Sequence, residues 1–248
     1  MNLFRKTTTA TAPIPAPAGH GPAVDLAKVP TGLVSLAKTA AVSLDKTGLT
    51  GQRAAVYLVL DHSGSMHGFY ANGSVQRLAE QALGLSANLD DDGTVPIVYF
   101  GSRAERPVEA DLTNYAGIVD RSHQRVGWGS TNYVAAMDAV VADYQESANT
   151  DCPALVIFQT DGSPDSQPDA ERVLREYSNL PIFWAFVGFG NNIRFLEKLD
   201  DLRGRKVDNA SFFHARDPLR VTDAALYDGV THEYAGWLAA ASAVGIVR

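Results

Sequence analysis

Three side chains at alternating positions, Asp61, Ser63 and Ser65, follow directly on the apolar run Val56–Leu60. One carboxylate and two hydroxyls are hard oxygen donors, the kind that suit Mg²⁺ or a similar divalent ion such as Mn²⁺ or Ca²⁺. Two later positions extend the set. Thr131 lies in Gly129-Ser-Thr-Asn132, and Asp161 ends a second apolar run, Ala154–Thr160. A hard cation takes roughly six oxygen ligands. With Ser63, Ser65 and Thr131 bound directly, and Asp61 and Asp161 acting partly through water, the protein supplies little negative charge to the ion. An ion held that way stays electrophilic and takes an anionic ligand, for which a carboxylate of a partner is the natural candidate. Gly64 is expected to supply the backbone freedom of a tight turn.

The elements around these residues alternate. Ala54–Leu60 is apolar and β-branched without alternation, as in a strand buried on both faces. Val75–Leu89 has helical spacing, Asp90–Gly93 is a turn, and Val95–Phe100 is a second strand. Glu105–Asp111 reads as a short edge strand limited by Pro107, and Thr113–Asp120 as a short helix with Thr113 its N-cap. Thr131–Ser147 carries a helical stripe, and Leu155–Thr160 is a central strand. Asp169–Ser178 is a helix with Pro168 near its first turn. Then follow strand Pro181–Val187, helix Ile193–Leu199, short strand Ser211–His214 and one closing helix, Thr222–Ala241. The expected architecture is α/β, a three-layer Rossmann-like fold with a mostly parallel central sheet and helices on both faces. In such sheets ligands bind at the carboxyl ends of strands, where Asp61 and Asp161 fall.

Ahead of this domain, residues 1–23 form a Thr/Ala/Pro-rich tail expected to be flexible. Residues 24–50 carry a weak repeat: Val24-Asp-Leu-Ala-Lys28, Val34-Ser-Leu-Ala-Lys38 and Val42-Ser-Leu-Asp-Lys46. Its Val and Leu two apart allow a strand, a segment docked along the main domain, or a separate interaction element. Residues 51–248 are the α/β domain.

Composition narrows the function. The 248 residues carry a formal charge of −7, the wrong sign for a nucleic-acid surface. The single cysteine, Cys152, excludes an intrachain disulfide and fits a reducing compartment. No apolar run approaches the ~20 residues of a membrane span. The acid-free start faintly resembles a transit peptide, but its prolines favour a linker, and Met1–Lys6 leads into no apolar signal core. A cytoplasmic protein without a membrane span is expected.

Catalysis fits less well. Ser63 lacks the Gly-x-Ser-x-Gly setting of a hydrolase nucleophile. A phosphoryl-accepting Asp61 would need a second carboxylate where Ser63 stands, and no Gly-x-x-x-x-Gly-Lys loop is present. A metal-dependent hydrolase or phosphatase is the alternative reading, and a scaffold with an empty site a third. His62 and His67 flank the cluster and would suit softer ions, though His62 alternates away from the ligand side. His62, Met66 and Trp128 are candidates for a rim around the ion that contacts a partner. Packing beneath the loops is the plainer role for Met66, Phe69, Tyr70 and Trp128. Ser130 reads as a loop or cap residue and Asp90-Asp-Asp92 as a solvated turn. Trp184, Phe212, Phe213 and Trp237 read as core.

Asp61-His-Ser63-Gly-Ser65, Thr131 and Thr160-Asp161-Gly162 together resemble the metal-ion-dependent adhesion site (MIDAS) of von Willebrand factor A (vWA) domains. The likeness covers about residues 50–245. A narrower one lies in Val42–Lys46, Gly48–Gly51, Asn72–Arg77, Asp91–Gly93, Phe100–Arg103, Leu180–Trp184 and Val207–Ala210, which are similar to bacterial tellurium-resistance A-domain proteins. The Val-Ser-Leu-x-Lys element also resembles stress proteins encoded with them. These resemblances imply a non-enzymatic protein-binding module. They imply Mg²⁺ (or Mn²⁺, Ca²⁺) at Asp61, Ser63, Ser65, Thr131 and Asp161, engaging an Asp or Glu of a partner. They also imply a role in tellurium resistance or stress response, with other proteins of that system as candidate partners.

Overall fold

The computed structural model describes residues 22–147 and 152–248. Most of the expected N-terminal tail, residues 1–21, lies outside the described residues. Six strands form one sheet: β1 Ala55–Asp61, β2 Val95–Phe100, β3 Val108–Ala110, β4 Ala154–Thr160, β5 Ile182–Phe189 and β6 Ala210–Ala215, in the order β3-β2-β1-β4-β5-β6. Every pairing is parallel except that of β3 with β2. Every residue of β4 and β5 is buried, which is why those segments read as unbroken apolar runs.

Two apolar layers hold the sheet. On one face pack α1 Thr31–Lys46, α3 Ser74–Leu89, α8 Asp223–Thr231 and α9 Tyr234–Ala243, against Leu58, Leu60, Ile157 and Phe183. On the other pack α5 Tyr133–Glu146, α6 Gln167–Glu176 and α7 Arg194–Asp200, against Tyr57, Val59, Phe158 and Trp184. Two short helices, α2 His67–Ala71 and α4 Ile118–Ser122, lie in the crossovers. From β1 the chain moves outward to β2 and β3. It then returns to the other side of β1 with β4 and moves outward again. The strand order therefore reverses between β1 and β4, and a crevice opens there beyond the carboxyl ends of both strands.

Several local expectations change. The Val-x-Leu-x-Lys segment is not a strand: most of it is the 16-residue helix α1. Leu33, Leu36, Ala37, Ala40 and Leu44 recur at helical spacing and bury one stripe, whereas Val42 of the repeat is exposed. The first unit forms only a 3₁₀ turn, Leu26–Lys28, with Asp25 accepting from the Ala27 N–H. Thr113 caps no helix. Its N–H and hydroxyl donate to Asp111 in a turn, and α4 starts later, after Gly117 in the left-handed region at φ 64°. The closing helix is two, broken between Thr231 and Tyr234. Trp184 and Trp237 are core, while Phe212 and Phe213 are only partly buried beside it.

Helix α1 packs on α3 and α8, and it comes close to α3 at Gly84. A β-carbon on Gly84 would lie 2.6 Å from Leu36 Cβ and 2.8 Å from the Tyr227 hydroxyl oxygen. Gly84→Ala should therefore cost about 1–3 kcal/mol of stability through overpacking, read by urea unfolding. Gly68→Ala, where the added carbon meets nothing within 4 Å, serves as the control. A Gly84→Ala protein that unfolds at the wild-type urea concentration would show that α1 is loosely appended rather than part of the core.

Candidate metal centre

The crevice between β1 and β4 gathers Asp61, Ser63, Ser65 and Asp161 into one connected set. Asp61 ends β1 with no solvent exposure. One carboxylate oxygen accepts the Ser63 N–H at 2.7 Å, closing an Asx turn, and the other accepts the Thr160 hydroxyl at 2.6 Å. The Tyr70 hydroxyl donates to the Asp61 carbonyl at 3.0 Å and fixes the strand end. Above it, Ser63 Oγ and Ser65 Oγ lie 3.2 Å apart, and the Ser65 hydroxyl donates to Asp161 Oδ1 at 2.8 Å. Exposure rises across the set. Ser63 is buried, Asp161 and Thr131 are half-buried, and Ser65 is exposed. The centre is thus a shallow cleft with its carboxylate at the floor and a hydroxyl at the mouth.

Thr131 is brought in by backbone. Ser63 and Gly129 form a parallel bridge. Gly129 N–H donates to the His62 carbonyl at 3.2 Å, and Gly64 N–H donates to the Gly129 carbonyl at 3.3 Å. Gly129 also lies against the loop after β2, where a β-carbon would come 2.5 Å from the Ser102 nitrogen, so only glycine fits. Asp165 then holds Thr131 from the far side. It donates its N–H to the Thr131 carbonyl at 2.9 Å, and its carboxylate accepts the Thr131 N–H at 3.0 Å and the Ser130 hydroxyl at 2.6 Å. Helix α5 begins at Tyr133 with Asn132 as its side-chain cap, not at Thr131. That leaves Thr131 in the loop.

Two expectations about these loops need correction. Gly64 is not among the glycines at positive φ. It starts a 3₁₀ turn, Gly64–Met66, whose backbone any residue can adopt. Of the three rim candidates only Trp128 reaches solvent, at 39% exposure, while His62 and Met66 have none. His62 faces inward because its ring stacks on Trp128, and its nitrogens meet the Gly127 carbonyl and His123, each at 3.3 Å. Met66 is held beneath the loop, where its sulfur accepts from the Gln159 amide. Residues that sequence reasoning did not place at the site, Tyr70 having been read as packing, now have a role there. Thr160 and Tyr70 fix Asp61, and Asp165 and Ser102 fix the Thr131 loop. The signal for Thr160 was its place one residue before Asp161; Asp165 carried none.

Burial pushes the Asp61 carboxyl up to about 6, against hydrogen bonds from Thr160 and Ser63 that lower it. Burial also raises Asp161 and lowers the His62 imidazole to about 4, so His62 is neutral at pH 7. A floor carboxylate that resists ionisation when alone is one a cation would favour. The donor spacing fits a small hard ion. Oxygens at about 2.1 Å from Mg²⁺ in octahedral array stand about 3 Å apart along an edge, close to the 3.2 Å between the Ser63 and Ser65 hydroxyl oxygens. Among the described residues no group of three His, Cys, Asp or Glu side chains gathers to hold an ion. Any site at this crevice therefore depends on hydroxyl oxygens as well as carboxylates.

A family model, vWA-TerF-like, described as the vWA found in the TerF C terminus, matches residues 53–247. The chain belongs to this family. The chain is 34% identical over 216 residues to the uncharacterized protein YcbR of Bacillus subtilis (strain 168), a match covering 85% of this chain and 88% of that one. Among solved structures, a von Willebrand factor type A protein from Catenulispora acidiphila shares the fold at TM-score 0.54 and 17% identity, over 75% of this chain and 43% of that one. Proximal thread matrix protein 1 from the mussel byssus, solved with a zinc-occupied MIDAS motif, does so at TM-score 0.52 and 15% identity, over 73% and 48%. The SpRpn10 VWA domain does so at TM-score 0.53 and 10% identity, over 70% and 93%. The chain spans less than half the length of the first two.

The buried carboxylate makes a pH prediction for the vWA domain without metal. The folded pKa of Asp61, about 6, lies above its unfolded value of 3.8. Its contribution to stability is thus fully present below pH 3.8 and is lost as pH rises through about 6, a loss of about 3 kcal/mol. In chelator, wild type should lose stability against Asp61→Asn between pH 4 and pH 7, as urea unfolding at each pH would read. Parallel stability profiles would show that Asp61 ionises at no cost.

Proposed function

We propose that this vWA domain holds a divalent cation, Mg²⁺ first and Mn²⁺ or Ca²⁺ as alternatives, at Ser63, Ser65 and Thr131. Asp61 and Asp161 anchor the ion, partly through water. When bound, the ion supplies a positive centre that an acidic side chain of a partner protein can complete. The observation that carries this reading is the run of oxygens from Asp61 through Ser63 and Ser65 to Asp161, set at the strand-order reversal and open to solvent on the Ser65 side. The zinc-occupied MIDAS of the mussel byssus protein supports a divalent ion in this fold, without selecting which one.

Binding is favoured over catalysis by where the hydroxyls point. Ser63 and Ser65 bond to each other and to Asp161. The nearby imidazoles turn elsewhere, His67 to the Gly64 carbonyl at 2.6 Å and His62 to Gly127 and His123. Neither serine therefore has the histidine base that a nucleophile needs. The family's link to TerF supports placing the module in tellurium resistance or stress response. Other proteins of that system are then its partners. Among the described residues no helix is long and apolar enough to cross a membrane, and a cytoplasmic setting is part of the proposal.

Calorimetry tests the metal. Wild type should release or absorb heat on Mg²⁺ or Mn²⁺ addition, and Asp61→Ala or Ser63→Ala should weaken binding at least tenfold. Equal heats in wild type and both variants would sink the site. A pulldown with and without chelator tests the partner: a partner lost in chelator and in Ser65→Ala is expected, and an unchanged set would count against ion-bridged binding.

A further inference from the structure

We infer that Trp128 is a positioning residue, a clasp that fixes the Thr131 loop against the Asp61–Ser65 loop; its consequence for the ion rests on the metal site proposed above. The indole stacks on the His62 ring at 3.7 Å between centroids and 15° between planes. It stacks on the His67 ring at 3.6 Å and 20°. Two rings lying so close to one centroid, and so nearly parallel to it, would collide on a single face. They therefore take opposite faces, and the indole lies between them. Tyr70 completes the setting, edge-on to Trp128 at 5.4 Å.

The positions of these residues in the chain give the stack its meaning. His62 stands between Asp61 and Ser63, His67 two residues beyond Ser65, and Trp128 three residues before Thr131. One ring thus pins both flanks of the Asp-x-Ser-x-Ser turn to the loop that carries the remaining hydroxyl. Trp128 is flanked by Gly127 and Gly129, which add no side-chain anchor of their own. Without the indole, the join rests on backbone bonds between His62, Gly64 and Gly129, all 3.2–3.3 Å long, on the His62 ring nitrogen at the Gly127 carbonyl, and on Asp165 and Ser102 beside the Thr131 loop.

Trp128 belongs to neither apolar layer and is 39% exposed. Truncating it opens no sealed cavity in the core, so its main effect falls on the loops. Aromatic stacks are each worth about two- to tenfold in an equilibrium constant, and two act here together.

The test uses the full chain as wild type, Trp128→Ala and Trp128→Phe. Amide hydrogen exchange is followed in chelator, and Mn²⁺ affinity by calorimetry. Trp128→Ala should speed exchange at Gly64 and Gly129 about tenfold while β1 amides keep their wild-type rates. It should weaken Mn²⁺ binding about tenfold, and Trp128→Phe, which can still stack, should recover most of both. Unchanged exchange at Gly64 and Gly129 overturns the clasp. So does a rise shared equally by β1, which would mean a plain loss of stability. Faster loop exchange with wild-type Mn²⁺ affinity overturns the link to the ion. A wild-type protein that takes up no Mn²⁺ defeats the metal reading and with it that link, while the exchange arm still decides the clasp by itself.

Discussion

Asp61 places a carboxylate at the end of the sheet's central strand with no contact to water. A buried charge needs hydrogen bonds or a counter-charge, and the surrounding residues answer that need in order. Thr160 and the Ser63 amide bond the two carboxylate oxygens. They do not fully offset the burial, since the carboxyl still sits near 6 rather than 3.8. Among the described residues no Lys or Arg forms an ion pair with Asp61 in compensation. What remains unmet is positive charge at the floor of a cleft whose walls are oxygen atoms. The architecture of this end of the molecule follows from holding that carboxylate in place beneath the serine hydroxyls, of which Ser65 is the one open to solvent.

Topology does the holding. Because β1 and β4 are adjacent and parallel, the loops leaving them emerge side by side, and Asp61 and Asp161 share a crevice. The same fact brings Thr160, at the end of β4, within reach of Asp61. The third loop precedes α5 and has no strand to aim it. It is aimed instead by the Ser63–Gly129 bridge, by Asp165 and by the stack on Trp128. Two loops are therefore set by the sheet, and the third by contacts that a small number of side chains control. Loss of ion affinity without loss of fold should concentrate in that third loop.

The sheet was legible because its strands are buried on both faces and read as apolar runs, and the helices α3, α5 and α6 because their stripes are regular. The five oxygen-bearing residues were legible by type and order. Their neighbours were less so. The Val-x-Leu spacing near the N-terminus fits period two as easily as a helix, and only packing on α3 and α8 decides it. His62 was read as part of a rim because it sits in a polar loop, and a sequence cannot show that a tryptophan distant in the chain covers it; Met66 could be rim or packing, and it packs beneath the loop. Asp165 left no trace because it acts on the backbone of Thr131, and backbone partners impose no pattern on side-chain types.

The hydrogen-bond polarity in the cleft bears on how the site can bind without being rebuilt. A serine hydroxyl has one proton and two lone pairs. The Ser65 proton is committed outward to Asp161, and the Thr160 proton to Asp61. With its proton on Asp161, Ser65 can only accept from the Ser63 hydroxyl across their 3.2 Å contact, which leaves one lone pair for another use. It is also a stronger electron donor, because the carboxylate draws on its proton. Asp161 can therefore act on an ion through Ser65 without touching it. In the proposed site its charge would be felt while its oxygens stay outside the direct ligands, which would keep the net charge at the ion positive and the remaining position attractive to an incoming acid. In this arrangement the carboxylates orient the hydroxyls, the hydroxyls would hold the ion, and the partner's acid would supply the charge that the protein withholds.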